Sequence, residues 1–264
     1  MSEVQHALFV AWQNPATHRF VPVARLASLI TDDGSLLFEF AYINHATGNH
    51  EFQPFLSFPR LEHVYRSRDL FPMFQNRLMS PRRSDYGQHM EQLGLSLHVR
   101  DPLIILSRSG GRRMTDTLEL FPMPEFEPEY GYRTWFWAHG MRQISAEAHQ
   151  RLLQLQVNEQ VFPHCDQGNP VQPDAIELRM EDGGRIGYLP TYLLDDAWTL
   201  HETCSRCEIF VDRINPPPAV LHQRLLLRLE SCWPDGFTPY ASSGYQPISA
   251  DAARLTDRIV SAQE

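Results

Sequence analysis

The chain contains no lysine; all 23 of its basic residues are arginine. That absence removes Schiff-base lysine chemistry, the Walker A lysine on nucleotide phosphates and the strand lysine of a kinase. Arginine grips phosphate or carboxylate through its planar fork, but it stays charged and cannot act as a titrating base. Cysteine is scarce as well. Four in 264 residues do not make a disulfide framework. No apolar run approaches the roughly 20 residues that span a bilayer, and residues 1–10, with Glu3 and His6 among them, lack the pattern of a secretory signal. The expectation is a cytoplasmic protein with no membrane partner. Gly-x-Ser-x-Gly, His-Glu-x-x-His and the dinucleotide glycine fingerprint are all missing. Twelve histidines are many, yet none stands in a nucleophile pattern; His164 and Asp166 are neighbours without one. The sequence therefore offers no catalytic residue, and its first reading is a binding protein rather than an enzyme.

What is present is enough for a core. The chain is 42% hydrophobic, and its length suits one large or two small domains. The net charge of -9 excludes a globally basic surface for duplex DNA, so any nucleic-acid site must be local. Apolar patterning predicts strands at 7–12, 36–42, 103–106 and 118–121, of which 36–42 alternates; 20–29 reads as mixed, and Asp32-Asp33-Gly34 as a turn. Helical spacing predicts short helices at 69–78 and 86–95, the latter closed by Gly94. A Pro- and Glu-rich stretch at 123–130 reads as a linker. Beyond it the pattern predicts strands at 132–139, 160–164, 175–180, 185–189, 208–214 and 221–229. Helices are expected at 146–155, 192–200 and 250–260. The expected fold class is α+β: two small β-rich modules at 1–122 and 131–234, then a tail at 235–264.

Four segments carry a resemblance in the second module. Gly140-Met141-Arg142 closes a strand, and Asn158-Glu159-Gln160-Val161 opens another. Gln167 to Ile176 reads Gln-Gly-Asn-Pro-Val-Gln-Pro-Asp-Ala-Ile, and residues 184–190 read Gly-Arg-Ile-Gly-Tyr-Leu-Pro. In order and spacing this central third of the chain resembles a HIRAN domain. The resemblance implies a compact SH3- or OB-like β-barrel with short helices, and binding of single-stranded DNA or DNA ends. Members of that family hold a 3′-terminal nucleotide with an Arg-aromatic pair and a Tyr-Asp pair. Arg142 stands at the arginine position, whereas Gln143, Val171 and Gln172 replace the aromatic, the stacking residue and the acid. The residues this resemblance nominates are Arg142, Asn169, Gln172 and Tyr188. Tyr192, His139, Trp135 and Trp137 are further aromatic candidates.

The first module resembles, over 69–78, 93–95 and 101–111, the N-terminal subdomain of HipA-type toxin kinases. That resemblance implies a regulatory or antitoxin-like piece with a HipA-type kinase as protein partner. Independently, residues 60–113 carry ten arginines against five acids, a local balance of +5. Arg82-Arg83 and Gly110-Gly111-Arg112-Arg113 therefore nominate a phosphate patch. The one cofactor the sequence offers is a structural zinc on His201, Cys204 and Cys207, with His164, Cys165 and Cys232 as further donors. Such a metal also keeps a third reading open, a metal-dependent hydrolase.

Overall fold

The computed structural model describes residues 3–113, 117–169, 172 and 174–253. It divides into two units. The first takes in residues up to 89, then 95–123, and then the chain from 238; the second takes in 90–94 and 124–237.

The first unit is built on β1 (Glu3–Gln13), β2 (Phe20–Ile30), β3 (Leu36–Tyr42), β4 (Tyr65–Ser67) and β5 (Leu118–Pro122). They form one antiparallel sheet in the order β4-β3-β2-β1-β5. The Asp32-Asp33-Gly34 signal folds as read. Asp33 accepts from the hydroxyl of Thr31 and the N–H of Ser35, while Gly34 takes the left-handed backbone the turn needs. Three short helices accompany the sheet, α1 (His45–Gly48), α2 (Pro72–Gln75) and α4 (Pro102–Ser109), while α3 (Tyr86–Gln92) begins in the first unit and ends in the second. One sheet face carries Leu8, Leu26, Phe40 and Tyr42 into a core with Phe58, Phe74, Leu103 and Leu106. The other face is covered by the chain from 238. Tyr240 and Tyr245 pack on Phe9, and Pro247 bridges to Ile43. β2 is therefore buried on both sides, and its one buried arginine, Arg25, pairs with buried Glu39 of β3.

Two local expectations change. Residues 103–106 lie in α4 and not in a strand. Asp101 accepts from the N–H groups of Leu103 and Ile104, Pro102 starts the helix, and Gly110 ends it in the left-handed conformation. The run 69–78 gives only the single turn of α2, because Arg77 and Leu78 bond back three residues rather than four.

The second unit holds β6 (Glu125–Glu127), β7 (Gly131–Trp137), α5 (Ala146–Leu152), β8 (Gln160–Cys165), β9 (Ile176–Arg179), β10 (Arg185–Tyr188), α6 (Leu194–Thr203), β11 (Cys207–Ile214) and β12 (Leu225–Ser231). Its sheet runs β10-β9-β8-β11-β12-β7-β6, with every pairing antiparallel. Two β-rich modules with short helices are thus present, as the α+β reading expects. The second sheet is not a closed barrel, however. β8 meets β11 through Gln160 and Val161 alone, and β10 meets the residues after β7 through one bridge, His139 to Tyr188. Residues 125–127, read as linker, pair with β7 as an edge strand. Cys204, just after α6, is disulfide-bonded to Cys232, just after β12. The stacking position at Val171 lies outside the described residues, as does the terminal helix at 250–260 beyond residue 253.

Candidate nucleic-acid interface

Three strands of the second unit build one exposed face. In the register, Phe162 of β8 lies opposite Arg179 of β9, which lies opposite Arg185 of β10. His164 lies opposite Glu177, and Glu177 opposite Tyr188. Directly paired residues on antiparallel strands share a face, so all six project the same way. The alternate residues Ile176, Leu178 and Ile186 are buried on the other side. β10 reaches this pattern through a bulge between Arg185 and Gly187, which places Arg185 and Tyr188 on one face although they are three residues apart.

The face is polar, cationic and aromatic. Phe162 is 40% exposed and His164 is exposed. Glu177 lies beneath, buried, and anchors both arginines: Arg179 donates to its Oε2 at 2.6 and 2.8 Å, and Arg185 to its Oε1 at 2.9 Å. Burial alone would raise the Glu177 carboxyl, but the hydrogen bonds and charges of the two arginines win and hold it below the usual range. Arg185 also donates to the Tyr188 hydroxyl at 2.9 Å, and that hydroxyl donates to Asp166 Oδ2 at 3.1 Å. Burial raises the Tyr188 phenol above its ordinary value, so it remains a donor.

The residues nominated by the HIRAN resemblance converge here. Asn169 Nδ2 donates to the same Asp166 Oδ2 at 3.0 Å, and Asn169 Oδ1 accepts from the N–H of Gln172 at 3.0 Å. Asn169 and Gln172 therefore shape the turn that positions Asp166. No described residue donates to Asp166 Oδ1, which leaves a carboxylate oxygen beside Tyr188. Arg142 is exposed in the turn 140–143, which abuts the same ring. A Cβ on Gly140 would stand 2.5 Å from Tyr188 Cδ2, and Arg185 reaches the Gln143 carbonyl at 3.3 Å. Sequence reading nominated none of Phe162, Glu177, Arg179 and Arg185, and weighed His164 and Asp166 only in other roles. The spacings Phe162-x-His164 and Glu177-x-Arg179 carried the signal for four of them.

The structure gives the four arginines of the nominated phosphate patch different surroundings. Arg83 closes its fork on Asp85 at 2.8 Å, and Arg112 pairs with buried Glu119 at 2.8 Å while lying over the Phe20 ring. Each of these two guanidinium groups has an acid beside it, as Arg179 and Arg185 have Glu177. Arg82 and Arg113 stay exposed. The nominated zinc set is His201, Cys204 and Cys207. Cys204 is bonded to Cys232, which removes a thiolate from His201, Cys204 and Cys207, and among the described residues no group of three or more His, Cys, Asp or Glu is placed to hold a metal. No described helix is long and apolar enough to cross a membrane.

A second carboxylate in this unit behaves like Glu177. Glu230 of β12 is nearly buried, and burial would raise it, but Arg133 and Arg228 donate to it at 2.6–2.9 Å and hold it below its usual value. A carboxylate depressed in the fold stabilises it above the unfolded value, about 4.3. As pH falls the unfolded chain takes up the proton first, so that stability is lost through the folded values. The urea midpoint of the second unit should hold from pH 7 to about 5 and fall steeply below about 4.5. A flat midpoint between pH 5 and 3 would contradict the two networks.

No family model matches the chain, and no curated protein sequence does. Among solved structures, it is similar to the crystal structure of the HIRAN domain of human HLTF, at 16% identity and a TM-score of 0.28, over 38% of this chain and 74% of that one. It is also similar to a protein from Lactobacillus plantarum, at 20% identity and a TM-score of 0.27, over 37% of this chain and 98% of that one.

Proposed function

We propose that the second unit is a non-enzymatic binding module for single-stranded nucleic acid, DNA ends included. The observation that carries this reading is the exposed face on which Phe162 and Tyr188 flank Arg179, Arg185 and His164, with Arg142 at its rim. An aromatic ring on an open strand offers a stacking surface for a base, worth about 1–3 kcal/mol. The guanidinium groups are pre-oriented by Glu177 and supply the phosphate contacts. Asp166 Oδ1 is an acceptor for a sugar hydroxyl and a repellent for a terminal phosphate. The HIRAN resemblance of the sequence points to the same ligand, while substituting the stacking and acidic positions that Phe162 and Asp166 would here supply from β8 and the residue after it.

Fluorescence anisotropy with short single-stranded DNA tests the reading, with a free 3′ hydroxyl or a 3′ phosphate, across a salt series. Affinity should fall with salt and be higher for the hydroxyl. Arg179→Glu with Arg185→Glu should weaken binding by at least about tenfold, and Phe162→Ala by about five- to 150-fold. A wild-type chain that binds no oligonucleotide, or a double variant of full affinity, sinks the proposal. Retention of a HipA-type kinase with no oligonucleotide binding would favour a kinase-regulating role instead.

A further inference from the structure

The Cys-x-x-Cys of the sequence splits in the fold. Cys204 caps the end of α6 and is bonded to Cys232, with the Cα atoms 5.8 Å apart, a separation that suits a disulfide. The bond closes a loop of 28 positions that holds β11 and β12. Cys207 is left out of it. That residue opens β11 opposite Ser231, and burial pushes its thiol up, which keeps it protonated at neutral pH. Cys232 is exposed and Cys204 half-buried, so a small thiol can reach the bond from solvent.

We propose that Cys204–Cys232 is a reversible redox clasp fastening α6 to the end of β12, opened and closed by exchange with small thiols of the glutathione class. In opening, a thiolate attacks Cys232 Sγ and forms a mixed disulfide. The bond to Cys204 breaks, and Cys204 leaves as a thiolate that takes a proton from water. A second small thiolate attacks the sulfur of the small molecule in the mixed disulfide and releases Cys232, which is protonated in turn. The protein disulfide gains two electrons, and two small thiols become one small disulfide. Neither step uses Cys207, which opens β11 opposite Ser231 and lies outside the bond. Opening removes the covalent tether between α6 and β12 and returns loop freedom to the unfolded chain.

The test uses the full chain carrying Cys165→Ser, because Cys165 is an exposed thiol of its own. The chain is equilibrated with oxidised or reduced glutathione and cleared of it. Remaining thiols are alkylated with iodoacetamide and mapped by mass, and the melting temperature is recorded. The oxidised sample should carry one alkylated cysteine, Cys207, and the reduced sample three. Reduction should lower the melting temperature by about 5–10 °C. Adding Cys232→Ser should abolish that difference, and adding Cys207→Ser should leave it intact. Three alkylated cysteines after oxidation, a cross-link between Cys204 and Cys207, or equal melting temperatures in samples of confirmed redox state would each overturn the clasp.

Discussion

Replacing Glu39 with glutamine will cost the first unit about 3–5 kcal/mol, read as a lower urea midpoint. Glu39 lies 1% exposed at the centre of a charge cluster. Arg25, 3% exposed on the neighbouring strand, donates to its Oε1 at 3.3 Å, and Arg66 donates to its Oε2 at 2.9 and 3.0 Å. The N–H of Ala253 donates to Oε1 at 2.7 Å, and Arg25 also donates to the Ala253 carbonyl. A neutral amide keeps the shape but leaves Arg25 a buried cation without its counter-charge. Burial already pulls the Arg25 pKa below the ordinary arginine value, and only Glu39 opposes that pull. Removing both charges together, as Arg25→Leu with Glu39→Leu, should cost less than the single change, because no lone buried ion remains. A single variant within about 1 kcal/mol of the wild type would show that the cluster is solvated, contrary to its burial.

Gly187→Val should cost the second unit about 3 kcal/mol and should also weaken oligonucleotide binding. Gly187 sits in the β10 bulge with φ of +149°, and a Cβ there would stand 2.9 Å from the His139 carbonyl oxygen, a backbone atom that cannot swing aside. That carbonyl accepts from the Tyr188 N–H at 3.0 Å, in the bridge that ties β10 to the residues after β7. Pushing the strands apart breaks the bridge and shifts the Tyr188 ring from its place against Gly140. Unchanged stability together with unchanged affinity would mean that the bulge has no part in setting the face.

Much of the strand pattern was legible because hydrophobic alternation survives wherever one face is wet. β3 and β7 were read to within a residue or two, as were β9 and β11. The Asp101-Pro102 start of α4 shows the opposite case. Four consecutive apolar residues satisfy a strand pattern, and only the cap in front of them and the glycine behind decide for helix. The candidate site was half legible. Arg142, Asn169, Gln172 and Tyr188 came from motif order, and in the structure Asn169 and Tyr188 share Asp166 while Gln172 donates its N–H to Asn169 and Arg142 lies in the turn beside Tyr188. Arg185 was not seen as its partner, because the bulge turns a spacing of two into three and hides the shared face. Asp166 was read only for catalysis and set aside, since nothing local announces that a residue 22 positions from Tyr188 will accept its hydroxyl proton. The acid partners of the nominated phosphate arginines stayed hidden for a related reason. Local charge counting places Arg83 and Arg112 in a cationic stretch but cannot tell that each already has an acid in reach.

The strip from 238 that covers the first sheet gives the protein an order of birth. Arg25 reaches the carbonyl of Ala253 across 228 residues, and Asn44 reaches that of Ser243 across 199. A ribosome must finish the whole of the second unit before the first can acquire its outer layer. During that interval the first sheet stands with Phe9, Phe121 and the Arg25–Glu39 pair open to water. Contacts so distant along the chain close slowly, since their loop entropy is spent before they return anything. The second unit, by contrast, has nearly all its residues together between 124 and 237, and so can fold while its neighbour is still waiting to be completed.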